Sequence, residues 1–156
     1  MIETEPVSAV QDAGTNQVEV IAFCCNFCAY AAADLAGARR MQYPANVRIV
    51  HVPCTGKVEV QQILAAFERG IDGVLLAGCL EGGCHFVEGN LRARRRVEAA
   101  KQVLDEIGLG RDRLRMVNLS ASEAPTFVSR IQEMVETVNA LGPNPLRLPS
   151  DKERAR

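Results

Sequence analysis

Six cysteines are the residues of this 156-residue chain whose types and spacing point to chemistry. They are Cys24, Cys25, Cys28, Cys54, Cys79 and Cys84. Five fall into two groups, C-C-N-F-C at 24–28 and C-L-E-G-G-C at 79–84, and Cys54 stands between them in V-P-C-T-G. Thiolates gathered in one place are soft ligands that suit iron–sulfur clusters or zinc. The acidic, polar start M-I-E-T-E-P-V-S lacks the basic and apolar regions of a secretory signal. That predicts a cytoplasmic protein whose thiols stay reduced, and there cysteines serve as metal ligands or redox groups sooner than as disulfides.

Little else competes with the thiols. Spacing alone leaves iron–sulfur and zinc both open, since zinc also accepts four thiolates. C-N-F-C after a strand could be a thioredoxin-like dithiol, but that leaves the other cysteines without a role. His51 and His85 each lie near a cysteine without the spacing of a centre ligated by two histidines and two cysteines, and read as neighbouring or core residues. The run L-R-A-R-R-R at 91–96 reads as a solvated helix face. Glu81 and Glu88 read as solvated loop carboxylates, and no catalytic residue is expected. Gly56-Lys57 lacks the rest of a phosphate-binding loop. A net charge of −1 and the absence of Trp argue against nucleic acid as a partner. No run of about 18 apolar residues predicts membrane insertion.

From residue 18 the chain alternates between strand and helix patterns. Strands are expected at 18–23, 47–52, 73–77 and 114–119, and helices at 28–40, 57–69, 90–107 and from Ser120 to Gly142. Val60, Ile63, Leu64 and Phe67 share one helical face, and Gly70 follows as a stop. Val97, Ala100, Leu104 and Ile107 form the stripe of the third helix. Phe127 or Val128, Ile131, Val135 and Val138 form that of the fourth, which opens with the capping-box pattern Ser120-x-x-Glu123. Four successive βα units predict an α/β fold of Rossmann/flavodoxin-like type, an open parallel four-stranded sheet with helices on both faces. Strands 1 and 3 are the most apolar and should be central. Arg48 and His51, and Arg115 and Asn118, mark strands 2 and 4 as edges. The expected order is 2-1-3-4. Residues 1–16 read as a disordered leader, 17–142 as one domain, and 143–156 as a flexible tail.

In such sheets sites form beyond the carboxyl ends of the strands, at the point where the order reverses. All six cysteines map to that edge, and the two groups flank the expected switch between strands 1 and 3. Gly78, Gly82 and Gly83 would let backbone N–H groups approach a cluster.

The stretches F-C-C-N-F-C-A-Y-A-A-A-D-L-A-G, M-Q-Y-P-A-N-V-R-I-V, V-P-C-T-G-K-V, D-G-V-L-L-A-G-C, G-G-C-H-F-x-E-G-N and S-A-S-E, spread over about 18–146, closely resemble the delta (iron–sulfur) subunit of methyl-viologen-reducing hydrogenase. The resemblance implies a non-catalytic electron-transfer subunit carrying a [2Fe-2S] cluster. Its implied partners are a heterodisulfide-reductase-like flavoprotein and a hydrogenase, formate dehydrogenase or other redox module. Related subunits serve anaerobic benzoyl-CoA reductase and methylene-tetrahydrofolate reductase assemblies. Cys25, Cys28, Cys54, Cys79 and Cys84 fall on the family's recurrent cysteine positions, and Cys24 is the dispensable neighbour. Four ligands suffice for the cluster, and Cys54 is the expected spare, because strand 2 lies furthest from the switch. Two departures stand out: Phe27 where Trp is usual, and L-E-G-G where H-P-G-D is commoner. Docking is expected on helix faces away from the cysteines or on the tail around 143–148.

Overall fold

The computed structural model describes residues 17–148. The expected leader at 1–16 and the end of the expected tail at 149–156 lie outside the described residues. The elements are β1 (Val20–Cys25), α1 (Ala29–Ala38), β2 (Val47–Val52), α2 (Val60–Glu68), β3 (Gly73–Gly78), α3 (Gly89–Glu106), β4 (Leu114–Asn118) and α4 (Ala124–Leu141). Single 3₁₀ turns at Thr55–Lys57 and Arg111–Arg113 precede α2 and β4.

The strands form one parallel sheet in the order β2-β1-β3-β4, as their apolar content predicts. Every residue of β3 is buried, the pattern of a parallel strand covered on both faces. One core joins Val20, Ala22 and Leu75 of the sheet to Ala32 of α1 and to Phe127 and Ile131 of α4. The other joins Val74 and Leu76 to Ile63 and Phe67 of α2 and to Ala93 and Val97 of α3. The buried face of α1 is Ala29, Ala32 and Ala36, so this helix lies close against the sheet. Edge residues find partners outward, with Arg48 on Glu19 at 3.3 Å and Arg115 on the Thr137 hydroxyl at 3.2 Å.

Several boundaries differ from the sequence pattern. β1 runs through Cys25, so Cys24 and Cys25 lie inside the sheet, opposite His51 and Val52. Glu59 and Gln62 form an unforeseen capping box that starts α2, Gln62 accepting the Glu59 N–H at 2.8 Å. At α4 only half of the expected box forms. Glu123 accepts the Ser120 N–H at 2.6 Å, while the Ser120 hydroxyl meets Ser122. The helix opens instead at Ala124 with Pro125 in its first turn, where a fixed φ and a missing N–H are suited. Ile107 caps α3 and is exposed, and Ala93 completes the buried stripe at the other end.

Residues 143–148, expected to begin a flexible tail, are pinned to the amino-terminal edge of the sheet. The anchor is Asp72, which is fully buried. Its carboxylate accepts the Glu19 and Asn144 N–H groups, each at 2.6 Å, and pairs with Arg147. The Asn144 side chain donates to the Phe67 and Ile71 carbonyls at 2.8 Å each. Composition alone hides this, because one buried acceptor outweighs a polar, Pro-rich sequence. Removing one member of a buried ion pair strands the other and costs about 3 kcal/mol. Asp72→Ala should lower stability by about that amount in urea unfolding, with Asp72→Asn losing less. An unchanged midpoint in Asp72→Ala would show that the strap is ornamental.

Candidate metal centre

β1 and β3 are neighbours whose chains leave in different directions, and the crevice at their carboxyl ends collects the thiols. Cys25 ends β1, Cys28 is the N-cap of α1, and Cys79 directly follows β3. The sulfurs of these three residues all lie within 4.8 Å of one another. Cys25 and Cys79 are separated by 3.6 Å. Two thiolates bound at about 2.3 Å to one tetrahedral metal would stand ~3.8 Å apart, so this pair suits a shared ion. The Ala29 N–H, at the start of α1, points at Cys25 Sγ at 3.5 Å.

Cys54 and Cys84 form the second part of the group. Although β2 is an edge strand, the 3₁₀ turn Thr55–Lys57 folds back against the start of α3. There the backbones of Gly56 and Gly89 touch. A Cβ on Gly56 would lie 2.7 Å from the Gly89 carbonyl oxygen. A Cβ on Gly89 would lie 2.2 Å from Cys54 Sγ and 3.3 Å from Cys84 Sγ. The two thiols are therefore neighbours. Cys54, expected to be the remote one, is as much part of the group as Cys84. Cys24 is not: it is fully buried, and its thiol donates to the Ala22 carbonyl at 3.7 Å.

Two asparagines and one arginine hold these pieces, and their sequence context does not mark them as part of a site. The Asn90 side chain, 2% exposed, donates to the carbonyls of Cys79 at 3.1 Å and Leu80 at 2.9 Å. Asn118 donates to the same Cys79 carbonyl at 2.6 Å. Arg96, from the run read as a solvated face, is half-buried, bonds the Gly56 carbonyl and pairs with Glu59 at 3.0 Å. It ties α3 to the Cys54 turn. Among the glycines singled out from sequence, Gly82 turns the loop at φ +76° and Gly78 packs on Thr55. The tight approach to sulfur belongs to Gly89 instead. Val87 has φ +65° and sits inside a turn closed by Glu88 N–H to the Phe86 carbonyl at 2.7 Å. That conformation is strained for a β-branched residue.

Crowding and desolvation set the charge state of these thiols. Burial pushes the Cys24 thiol up to about 12, with the neighbouring Cys25 adding to it. Burial likewise raises Cys79, with Cys28 and Cys25 contributing, and raises Cys28 and Cys54. At Cys84 burial also pushes upward, but backbone N–H groups of Asn90, Phe86 and Gly89 and the Cys54 thiol prevail and hold it below the usual thiol range. The start of α3 thus supplies donors to a thiolate. A cation shared by these sulfurs would offset their mutual repulsion and displace their protons. The residues fit a thiolate-bound metal or cluster.

An exposed rim surrounds the mouth: Phe27, Tyr30, Leu80, Phe86 and Val87. His85 stacks on Phe27 with ring centroids 3.8 Å apart, and His51 bonds Asn26 at 2.7 Å beside Tyr30. Both histidines are engaged outside the sulfur group.

Comparison with known proteins agrees with this chemistry. The family model described as methyl-viologen-reducing hydrogenase, delta subunit, matches residues 20–142. The vhu iron-sulfur subunit of the F420-non-reducing hydrogenase of Methanocaldococcus jannaschii is 54% identical over 128 residues, 82% of this chain and 96% of that one. Its namesake from Methanopyrus kandleri is 48% identical over 124 residues, 80% of this chain and 94% of its own. One subunit of the ferredoxin/F(420)H(2)-dependent CoB-CoM heterodisulfide reductase of Methanosarcina acetivorans is 42% identical over 124 residues, 80% of this chain but 16% of that much longer protein.

Gly89→Ala should push both Cys54 and Cys84 out of the centre at once and sharply reduce metal loading, as read by metal analysis of the anaerobically purified protein. Gly37→Ala, on an exposed position of α1 with open space around it, should leave loading intact and add about 0.5 kcal/mol of stability. Cys24→Ala should keep full loading and lose about 1 kcal/mol from its small cavity. Equal loading in Gly89→Ala and Gly37→Ala would refute the close-approach argument.

Proposed function

We propose that this chain, which belongs to the family of the methyl-viologen-reducing hydrogenase delta subunit, is a cytoplasmic relay of single electrons. It holds a [2Fe-2S] cluster on four of Cys25, Cys28, Cys54, Cys79 and Cys84 and has no substrate of its own. The observation that carries this reading is the meeting of five thiols from three strand ends, three of them within 4.8 Å of one another. When bound, the cluster supplies reversible one-electron chemistry. The chain's own residues do the rest. Asn90 and Asn118 fix the Cys79 carbonyl, and the Gly56–Gly89 contact sets the depth of Cys54 and Cys84. Backbone N–H groups face Cys25, Cys54 and Cys84. Donors to ligating sulfur favour the reduced, more negative state and raise the potential.

The partners are an enzyme module that delivers electrons, a hydrogenase first and a formate dehydrogenase or similar module next, and a heterodisulfide-reductase-like flavoprotein that accepts them. The hydrogenase names of the relatives support the first. A domain like this one within a much longer heterodisulfide reductase chain supports the second, since fusion keeps two working parts together. The docking face is the rim of Phe27, Leu80, Phe86 and Val87 rather than the distant helix faces or the 143–148 segment, which Asp72 already engages. Clustered exposed apolar residues mark contact sites, and these stand over the thiols. Among the described residues no helix is long and apolar enough to cross a membrane.

A zinc-stabilised adaptor is the competing reading, because zinc also accepts thiolates alone. Iron and acid-labile sulfide separate the two. Anaerobically purified protein should contain about two irons and two sulfides per chain and give a reducible paramagnetic signal. Cys25→Ser, Cys28→Ser and Cys79→Ser should each abolish or strongly alter that signal. Cluster loss should also lower the melting temperature, since metal-binding energy is partly folding energy. A colourless protein with one zinc and no reducible signal would exclude the relay.

A further inference from the structure

We infer that Cys54 and Cys84 are alternative donors for one ligand position, so that the centre can exchange one thiolate for the other. The inference rests on the cluster reading above and deepens it. Five thiols converge and a [2Fe-2S] cluster takes four. Cys25, Cys28 and Cys79 are mutual neighbours within 4.8 Å and form one compact set. That leaves one place for two sulfurs.

Cys54 and Cys84 are built to share it. Both abut the bare Cα of Gly89, where a side chain would meet Cys54 Sγ at 2.2 Å and Cys84 Sγ at 3.3 Å. The two stand side by side there, Cys54 at the turn after β2 and Cys84 on the loop after β3, the two strands that flank β1 and its Cys25. Each also has its own backbone support. Cys54 Sγ accepts the Gly56 N–H at 3.3 Å, and Cys84, half-buried, lies beside the backbone of Gly89 at the start of α3. Whichever thiol stands out therefore keeps a polar or solvent partner, so exchange strands no buried polar group.

The exchange balances simply. One sulfur–iron bond replaces another, the entering thiol releases a proton, the leaving thiolate takes one up, and no electron moves. The two donors differ in their anchorage. Cys54 caps a 3₁₀ turn tied to α3 by Arg96, whereas Cys84 lies on the loop that carries Phe86 and Val87. A partner pressing on that rim acts on Cys84 and spares Cys54, which gives docking a handle on the ligand set.

The test compares wild type with C54A, C84A, C54A/C84A and C79A, all purified anaerobically and checked for folding by circular dichroism. Iron, sulfide and the paramagnetic spectrum of the reduced protein are read. C54A and C84A should each keep most of the wild-type iron, with spectra that differ from one another. The double variant should fall about tenfold or more, to the level of C79A. Iron loss in either single variant as deep as in the double, or single variants with identical spectra, overturns the exchange. Alkylation of native wild type with iodoacetamide supplies a readout free of mutation. One label per chain, divided between Cys54 and Cys84, is expected, and a label confined to one of them overturns the proposal. Wild type devoid of iron and sulfide would overturn the cluster reading and this inference with it. A loaded wild type with failing variants would overturn the exchange alone.

Discussion

At Gly89 two stretches of backbone come so close that a single added carbon would overlap Cys54 sulfur. The arrangement of the centre follows from that contact. It brings the turn after an edge strand under the first residues of α3, and with it a thiol that topology alone would leave aside. The same residues present N–H groups to Cys84, and the adjoining Asn90 reaches across to the Cys79 carbonyl. One helix start thus engages three of the five cysteines, through packing at Cys54, backbone donors at Cys84 and a side chain on the Cys79 carbonyl. Arg96, two turns further along, bonds back to Gly56 and keeps the contact closed.

The sheet supplies the rest by direction. Parallel strands all end at one edge, and where the order reverses the helices diverge and leave a crevice. Cys25 and Cys79 enter it from adjacent strands and meet at 3.6 Å. Desolvation there works against thiolates, as the raised thiols of Cys28, Cys54 and Cys79 show. Backbone donors oppose it only locally, at Cys84 most of all. Burial thus favours the protonated form at Cys28, Cys54 and Cys79, and a metal that takes their protons' place would relieve the crowding. The opposite edge of the sheet is closed differently, by the buried carboxylate of Asp72 and its strap through Asn144 and Arg147.

Much of this was legible in the residues. The continuous apolar runs of β1 and β3, against the charged residues of β2 and β4, gave the order of the sheet, and the order gave the edge where the cysteines meet. The family resemblance set Cys24 apart, and its thiol turns to the Ala22 carbonyl. What escaped was contact between segments distant in sequence. Gly56 and Gly89 carry no periodicity and no charge, and their closeness exists only once the Thr55–Lys57 turn folds back. Asn118 read as an edge-strand polar residue because its partner, a carbonyl, leaves no trace in sequence. Asp72 and Asn144, 72 positions apart, hid the anchoring of the tail for the same reason. Ile107 joined the right helical stripe by spacing yet falls just past the helix end, where solvent reaches it.

Whether iron sits in this nest of sulfur is read by X-ray absorption at the iron and zinc edges of the anaerobically isolated, untreated protein. A [2Fe-2S] cluster on these cysteines gives an iron edge with a first shell of sulfur alone and a second, short iron–iron distance. A zinc edge without iron, or iron bound through oxygen and nitrogen, would contradict it.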